Sequence, residues 1–311
     1  MNCLILGGAG FIGSHLVDAL VEKGHYVRVF DRPNIDISNL KKSINHIDVC
    51  PGDFNNVKNV SEALSGIDVV VNLVCTTLPA PSNENPLYDV ESNVKGNIIF
   101  LEKAIENRIK KVVFASSGGT VYGIPEQMPV TENHRTDPLC SYGISKLTVE
   151  KYLYLFNHLY NLDYTVLRLA NPYGERQKIT ATQGVVAVFL GKILHDLPVH
   201  VWGDGSVARD FIYIKDMVQA FVRAIEKRTS SKIFNIGSGN ACSIKKLLDV
   251  ISYVTGKELK IEFKPARNMD VPAIALDIKR AEHELDWCPK ETLESGIKRT
   301  WQWLMENYRC R

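Results

Sequence analysis

Two sets of residues in this 311-residue chain have the types and spacing to do chemistry. Tyr142 and Lys146 stand four apart, so on a helix they share one face. A cation beside a phenol favours the phenolate and lowers the Tyr pKa. A Tyr tuned in that way serves as a general base near neutral pH. The second set is Gly7, Gly8, Gly10 and Gly13. Glycines at such spacing let the backbone turn sharply and approach a pyrophosphate, whose charge then sits at a positive helix N-terminus. A dinucleotide cradle and a proton-transfer pair in one chain point to hydride exchange with a nicotinamide.

The flanking residues read as the elements that position these groups. Cys3–Leu6 is a short apolar run suited to a buried strand. Phe11–Lys23 has helical spacing and is closed by Gly24. Tyr26–Phe30 reads as a second strand ending at Asp31, 18 residues after Gly13, where a carboxylate can accept from the adenosine ribose hydroxyls. Tyr142 opens a helical stretch, 142–160, that follows the strand-like run Lys111–Ser117. Tyr253 and Lys257 have the same spacing, but that pair ends at the helix-breaking Gly256 and is assigned to chance. Asp68–Val74, Lys111–Ser117 and Tyr164–Ala170 read as central parallel strands with helices between them. The predicted fold is α/β, a Rossmann-type doubly wound parallel sheet that binds ligand at the strand C-terminal ends. Beyond Pro172 glycine, proline and charge become denser and the alternation weakens.

Composition excludes several function classes. The formal net charge is +2 and no charge run points to nucleic acid or an anionic membrane. No run approaches the roughly 18 consecutive apolar residues of a membrane span. Met1 leads straight into the first strand, so no signal peptide is expected. Seven scattered cysteines without a C-x-x-C pair suit reduced thiols in a cytoplasmic protein. No H-E-x-x-H spacing is present, and no metal is expected. Neither G-x-S-x-G nor G-x-x-x-x-G-K occurs, which argues against hydrolase and P-loop chemistry.

The glycines fit two registers. Gly8, Gly10 and Gly13 fit G-x-G-x-x-G, whereas Gly7, Gly10 and Gly13 fit G-x-x-G-x-x-G. The second, with Tyr142 and Lys146, resembles the short-chain dehydrogenase/reductase superfamily. Further segments carry the resemblance along the chain: Gly52-Asp53-Phe54, Ser92-Asn93-Val94, Ser116-Ser117-Gly118-Gly119-Thr120-Val121-Tyr122-Gly123, Arg168-Leu169-Ala170-Asn171-Pro172-Tyr173-Gly174, Gly203-Asp204-Gly205, Arg209-Asp210-Phe211, Asn235-Ile236-Gly237 and Arg267–Pro272. The chain resembles the extended branch of that superfamily, the sugar-nucleotide epimerases and dehydratases.

The resemblance implies an NAD site and a nucleotide-diphosphate sugar substrate. It places Gly7, Gly10, Phe11, Ile12 and Gly13 at the pyrophosphate turn. Asp31 and Arg32 fall at the adenosine ribose, and Asp53 with Phe54 at the adenine. Leu73 and Asn93 complete the cofactor set beside Tyr142 and Lys146. Ser117, Tyr142 and Lys146 are the implied catalytic residues. Thr120, Asn171, Arg209, Arg267 and Ile274 are the implied substrate contacts. Arginine suits a diphosphate because its planar fork pairs with phosphate oxygens. Ile274 falls where related galactose epimerases carry a gatekeeping Tyr, so a pocket open to an N-acetyl group is expected. Arg176 reads as a loop charge. Residues 1–172 form the expected NAD-binding domain, with 208–237 returning to it, and 173–207 with 238–311 form a smaller substrate-binding cap. A homodimer through 86–107 and 142–160 is expected.

The implied reaction is a transient oxidation at C4 of the sugar. Dehydratases of this branch carry an Asp-Glu pair just after the Ser/Thr, and here Gly118 and Gly119 stand there. A 4,6-dehydratase is therefore not expected. A nucleotide-sugar 4-epimerase is the favoured reading, with an NAD(P)H-dependent reductase of a dTDP-4-keto-6-deoxyhexose as the alternative. A non-enzymatic NAD-binding regulator is the third, but such proteins usually lose the Tyr or the Lys.

Overall fold

The computed structural model describes residues 1–181, 183–267 and 271–308. Twelve strands are present in it: β1 Asn2–Leu6, β2 Tyr26–Asp31, β3 Asp48–Pro51, β4 Val69–Asn72, β5 Lys111–Ser117, β6 Asp163–Leu169, β7 Asn171–Tyr173, β8 Val199–Trp202, β9 Ala208–Tyr213, β10 Ile233–Ile236, β11 Ala241–Ser243 and β12 Ile261–Lys264. The helices are α1 Phe11–Glu22, α2 Val57–Leu64, α3 Pro79–Glu84, α4 Pro86–Asp89, α5 Gly96–Glu106, α6 Ser141–Tyr160, α7 Val185–Leu194, α8 Ile214–Glu226, α9 Ile244–Thr255 and α10 Leu293–Tyr308.

Seven strands form one parallel sheet in the order β10-β6-β5-β4-β1-β2-β3. Order reverses between β1 and β4, and a doubly wound sheet opens its ligand crevice at such a switch point. Alternate side chains on each strand feed two cores. Cys3, Ile5, Val71 and Val113 pack on one face with Leu16 and Leu20 of α1 and Phe221 of α8. Leu4, Leu6, Val70, Val112 and Phe114 pack on the other with Leu64 of α2, Phe100 of α5 and Leu153 of α6. Burial on both faces is why these strands read as unbroken apolar runs. Each such side chain contributes roughly 1.5–3 kcal/mol.

Two small sheets complete the fold, β11-β9-β7 and β12-β8. Within 208–237, β9 joins the three-stranded sheet while β10 extends the large one beside β6. The 86–107 segment is not one helix. Pro86 opens α4, and Val90–Lys95 winds as a wider π turn before α5. No helix among the described residues is long and apolar enough to cross a membrane.

Candidate active site

The turn between β1 and α1 shows why its glycines are needed. Gly7 has φ +80°, a left-handed conformation that glycine adopts without strain. A Cβ on Gly13 would lie 2.4 Å from the Gly7 carbonyl oxygen and 2.7 Å from the Gly8 Cα. Helix α1 therefore starts pressed against the turn, with Phe11 and Ile12 at its first positions. The Asp31 carboxylate folds back over the turn, accepting from the Ala9 N–H at 3.1 Å and from the Arg32 N–H at 2.9 Å. A cleft of about 200 Å³ opens there, lined by Ala9, Asp31, Arg32, Ile35, Ile37 and Pro51. A turn packed too tightly at Gly13 for a Cβ, a helix N-terminus, an acid at the end of β2 and an adjoining apolar cleft fit a dinucleotide.

The remaining residues of the expected cofactor set divide. Leu73 continues from β4, donating its N–H to Leu6 O, and a Cβ on Gly7 would come 3.5 Å from its carbonyl carbon. Asp53 shapes the loop after β3, its Oδ1 accepting from the Asn55 N–H. The Phe54 ring is in the core, 6.0 Å from the Phe100 ring, so only its backbone is left to face a ligand. Asn93 is also buried. Its Oδ1 accepts from the Thr76 N–H and its Nδ2 donates to Thr77 Oγ1 and Asp89 Oδ1, fastening the loop after β4 to the π turn.

Tyr142 and Lys146 lie on the first turns of α6. Helix α3 caps that N-terminus: Asn83 Oδ1 accepts from the Ser141 N–H and Ser82 Oγ from the Tyr142 N–H. Ser117, the last residue of β5, adjoins the Tyr142 phenol and favours its ionised form. Lys146 is buried and donates to Ala115 O at 2.8 Å, with Nζ 5.7 Å from the Tyr142 ring centroid. The Tyr142 pKa is pushed above the usual phenol range, by burial first and by Cys75 second, while Ser117 pulls the other way. The raised pKa differs from the lowering expected of a neighbouring cation, and the Lys146 ammonium is hydrogen-bonded to the β5 carbonyl.

The loop after Ser117 carries no carboxylate at either of the next two positions. A Cβ on Gly118 would lie 2.5 Å from Leu276 Cδ1 and 3.2 Å from the Arg168 carbonyl oxygen, so a side chain there would have to displace the end of Leu276. At Gly119 nothing lies within 4 Å. The Thr120 hydroxyl is buried without a hydrogen-bond partner, the state of a group shaped to meet a ligand.

The expected substrate contacts are dispersed. Asn171 donates to Asp210 O at 3.1 Å, joining β7 to β9. Arg209 donates to Ala208 O and Val271 O. Arg267 is exposed, its guanidinium 4.1 Å from the centroid of the Trp202 ring. Ile274 is not brought to the site: it is 1% exposed in the main core, and its N–H donates to Ala208 O. A side chain packed on all sides cannot gate a sugar pocket. Asn268–Asp270 of the Arg267–Pro272 segment lie outside the described residues.

Sequence reading missed several residues around the site. Cys75 lines a small cavity together with Asp89, Asn93, Tyr142, Ser145 and Lys146. Behind β5, Arg168 and Glu150 form a buried ion pair at 2.6 Å, joined by Ser116 and Tyr122. Arg176 pairs with Asp18 of α1 at 2.6 Å. None of these partners is near in sequence, so no local spacing could signal them.

Comparison with known proteins agrees with this geometry. An Escherichia coli dTDP-4-dehydro-6-deoxyglucose reductase is 38% identical over 99% of this chain and 98% of its own length. The UDP-glucose 4-epimerase of Mycolicibacterium smegmatis is 35% identical over 96% of this chain and 97% of its own length. The crystal structure of the Thermotoga maritima UDP-glucose 4-epimerase with UDP-glucose superposes with a TM-score of 0.93 at 36% identity, covering 99% of each chain. Residues 3–237 match the family described as NAD dependent epimerase/dehydratase, and the chain belongs to that family.

Proposed function

We propose that the protein is an NAD-dependent nucleotide-sugar 4-epimerase acting on a UDP-hexose or UDP-N-acetylhexosamine. The observation that carries this reading is the end of β5. There Ser117 adjoins Tyr142, Lys146 lies one turn along α6, and the next two positions, Gly118 and Gly119, carry no carboxylate. Such a site handles one hydroxyl and its proton but cannot drive loss of water. The Tyr142 oxygen takes the proton of the sugar 4-hydroxyl and later returns it, while Ser117 holds the same oxygen. NAD, when bound, supplies the acceptor for the C4 hydride. Rotation of the 4-keto sugar then presents its other face. Burial raises the phenol pKa, and the Lys146 ammonium one turn away is the positive charge available to offset it as the proton moves.

Asp31 favours NAD over NADP, since it accepts from a ribose hydroxyl and repels a phosphate. Arg209 and Arg267 bind the diphosphate, with Asn171 and Thr120 as further contacts. The segments 173–207 and 238–311 form the cap that encloses the sugar. Leu87 (69% exposed), Tyr154 (63%) and Leu159 (55%) lie with Tyr88, Ile144 and Leu155 on α4 and α6, an apolar face suited to a second copy of the chain. Scattered cysteines without a C-x-x-C pair support a cytoplasmic location. The test is a UDP-glucose carrying deuterium at C4 in ordinary water. The galacto product should keep the label, and its loss to solvent would overturn the transient oxidation. The 38% identical reductase supports a second reading, reduction of a 4-keto-6-deoxy sugar nucleotide.

A further inference from the structure

Asp89, at the end of α4, is 0% exposed, and among the described residues no arginine or lysine hydrogen-bonds its carboxylate. Four side chains donate to its carboxylate. Thr77 Oγ1 and Asn93 Nδ2 donate to Oδ1, the latter at 3.0 Å. Ser141 Oγ and Ser145 Oγ donate to Oδ2 at 2.8 and 2.6 Å. The four come from three places: the loop after β4, the π turn and the first turns of α6. Ser141 and Ser145 flank the two residues this account puts in the chemistry, one preceding Tyr142 and the other preceding Lys146. A small cavity of about 10 Å³ is all the space left between Asp89, Asn93, Ser145, Tyr142 and Lys146. A buried carboxylate is tolerated only when its lone pairs are filled, and bonds to a charged acceptor are about twice as strong as neutral ones.

We propose that Asp89 is the positioning residue of the site: one buried carboxylate pins the first turns of α6 to the loop after β4 and so fixes the Tyr142 oxygen relative to Ser117. The inference rests on the epimerase reading for its kinetic consequence, though not for its structural one. The arrangement is specific to a carboxylate. An amide of the same shape has a single acceptor oxygen and turns an NH₂ toward hydroxyls that were donating. Release of the α6 start moves Tyr142 by a fraction of an ångström or more, and a displacement of about 1 Å costs on the order of 10²-fold in rate.

The experiment compares the full-length wild type with Asp89→Asn and with the double variant Ser141→Ala/Ser145→Ala. It measures kcat and KM for UDP-glucose together with hydrogen exchange of the α6 amides. Asp89→Asn should lower kcat by about 10- to 100-fold while KM stays within about threefold. The amides of 141–146 should exchange about tenfold faster while those of 150–160 are unchanged. The serine double variant should shift both readouts in the same direction by less. The inference is overturned if kcat stays within about threefold, if the loss appears in KM instead, or if exchange at 141–146 is unaltered. Should Asp89→Asn not fold, the serine variant alone decides on the same criteria. If the wild type proves to have no epimerase activity, exchange at 141–146 still tests the pinning, so failure of the functional reading is distinguishable from failure of this one.

Discussion

In the proposed reaction Tyr142 bears most of the chemistry, and its surroundings set what its replacement should do. Its phenol adjoins Ser117 and lies one turn from the buried Lys146. Tyr142→Phe keeps the ring and loses only the oxygen. Turnover should fall by about 10²–10⁴-fold, the usual worth of a general base, while the protein still folds and titrates with NAD. A kcat within threefold of wild type would remove Tyr142 from the mechanism. The arginines make a second prediction at this scale. Arg267→Ala and Arg209→Ala should each raise KM for the nucleotide sugar by about ten- to a hundredfold, from the roughly 1.5–3 kcal/mol of a charge-assisted hydrogen bond, while NAD affinity is spared. An unchanged KM would make that arginine structural. Arg209, already donating to Val271 O, is the one whose loss should also lower stability. Ile274 shows where residue-level reading failed: position in a motif cannot report that a side chain is walled in by the core.

At the scale of elements, legibility followed burial. The strand-like run Lys111–Ser117 is β5 to the residue, because a strand covered on both faces writes its own limits as an apolar run. Strands β7, β8 and β12 were not legible, since three or four residues owe their conformation to partners far away in sequence. The 86–107 segment carries a helical pattern, yet Asn93 and Asn97 donate to the Asp89 and Asn93 carbonyls four residues back. Such side-chain bonds compete with the regular ladder and widen the turn. The Arg168–Glu150 pair between β6 and α6 yields the prediction at this scale. Arg168→Met should cost about 3–5 kcal/mol by stranding the Glu150 carboxylate in the core, and adding Glu150→Leu should recover most of it. Denaturant unfolding of the single and double variants checks this. A single variant as stable as wild type would show that the pair is not a closed unit.

The whole molecule joins the two ends of this logic. Helix α1 starts at the glycine turn and sets its flank against Glu175 and Arg176. His15 on that flank donates Nε2–H to Glu175 O, and burial lowers its pKa from 6.5 to about 4. The neutral form is the one the fold holds. The associated stability is complete above pH 6.5 and is lost as pH falls from there through about 4, a loss of roughly 3 kcal/mol at most. His15→Gln keeps a donor and removes the titration, so its unfolding free energy should fall less steeply than the wild type's across that window. Parallel slopes would assign the acid sensitivity elsewhere. The reaction itself is the property of the assembled site, and the most direct measurement uses purified protein, UDP-galactose and no added NADH or NADPH. The account predicts that NMR will show conversion to UDP-glucose up to the equilibrium ratio. It is contradicted if UDP-hexoses stay unchanged while a 4-keto-6-deoxy sugar nucleotide is reduced with stoichiometric consumption of added NADH or NADPH.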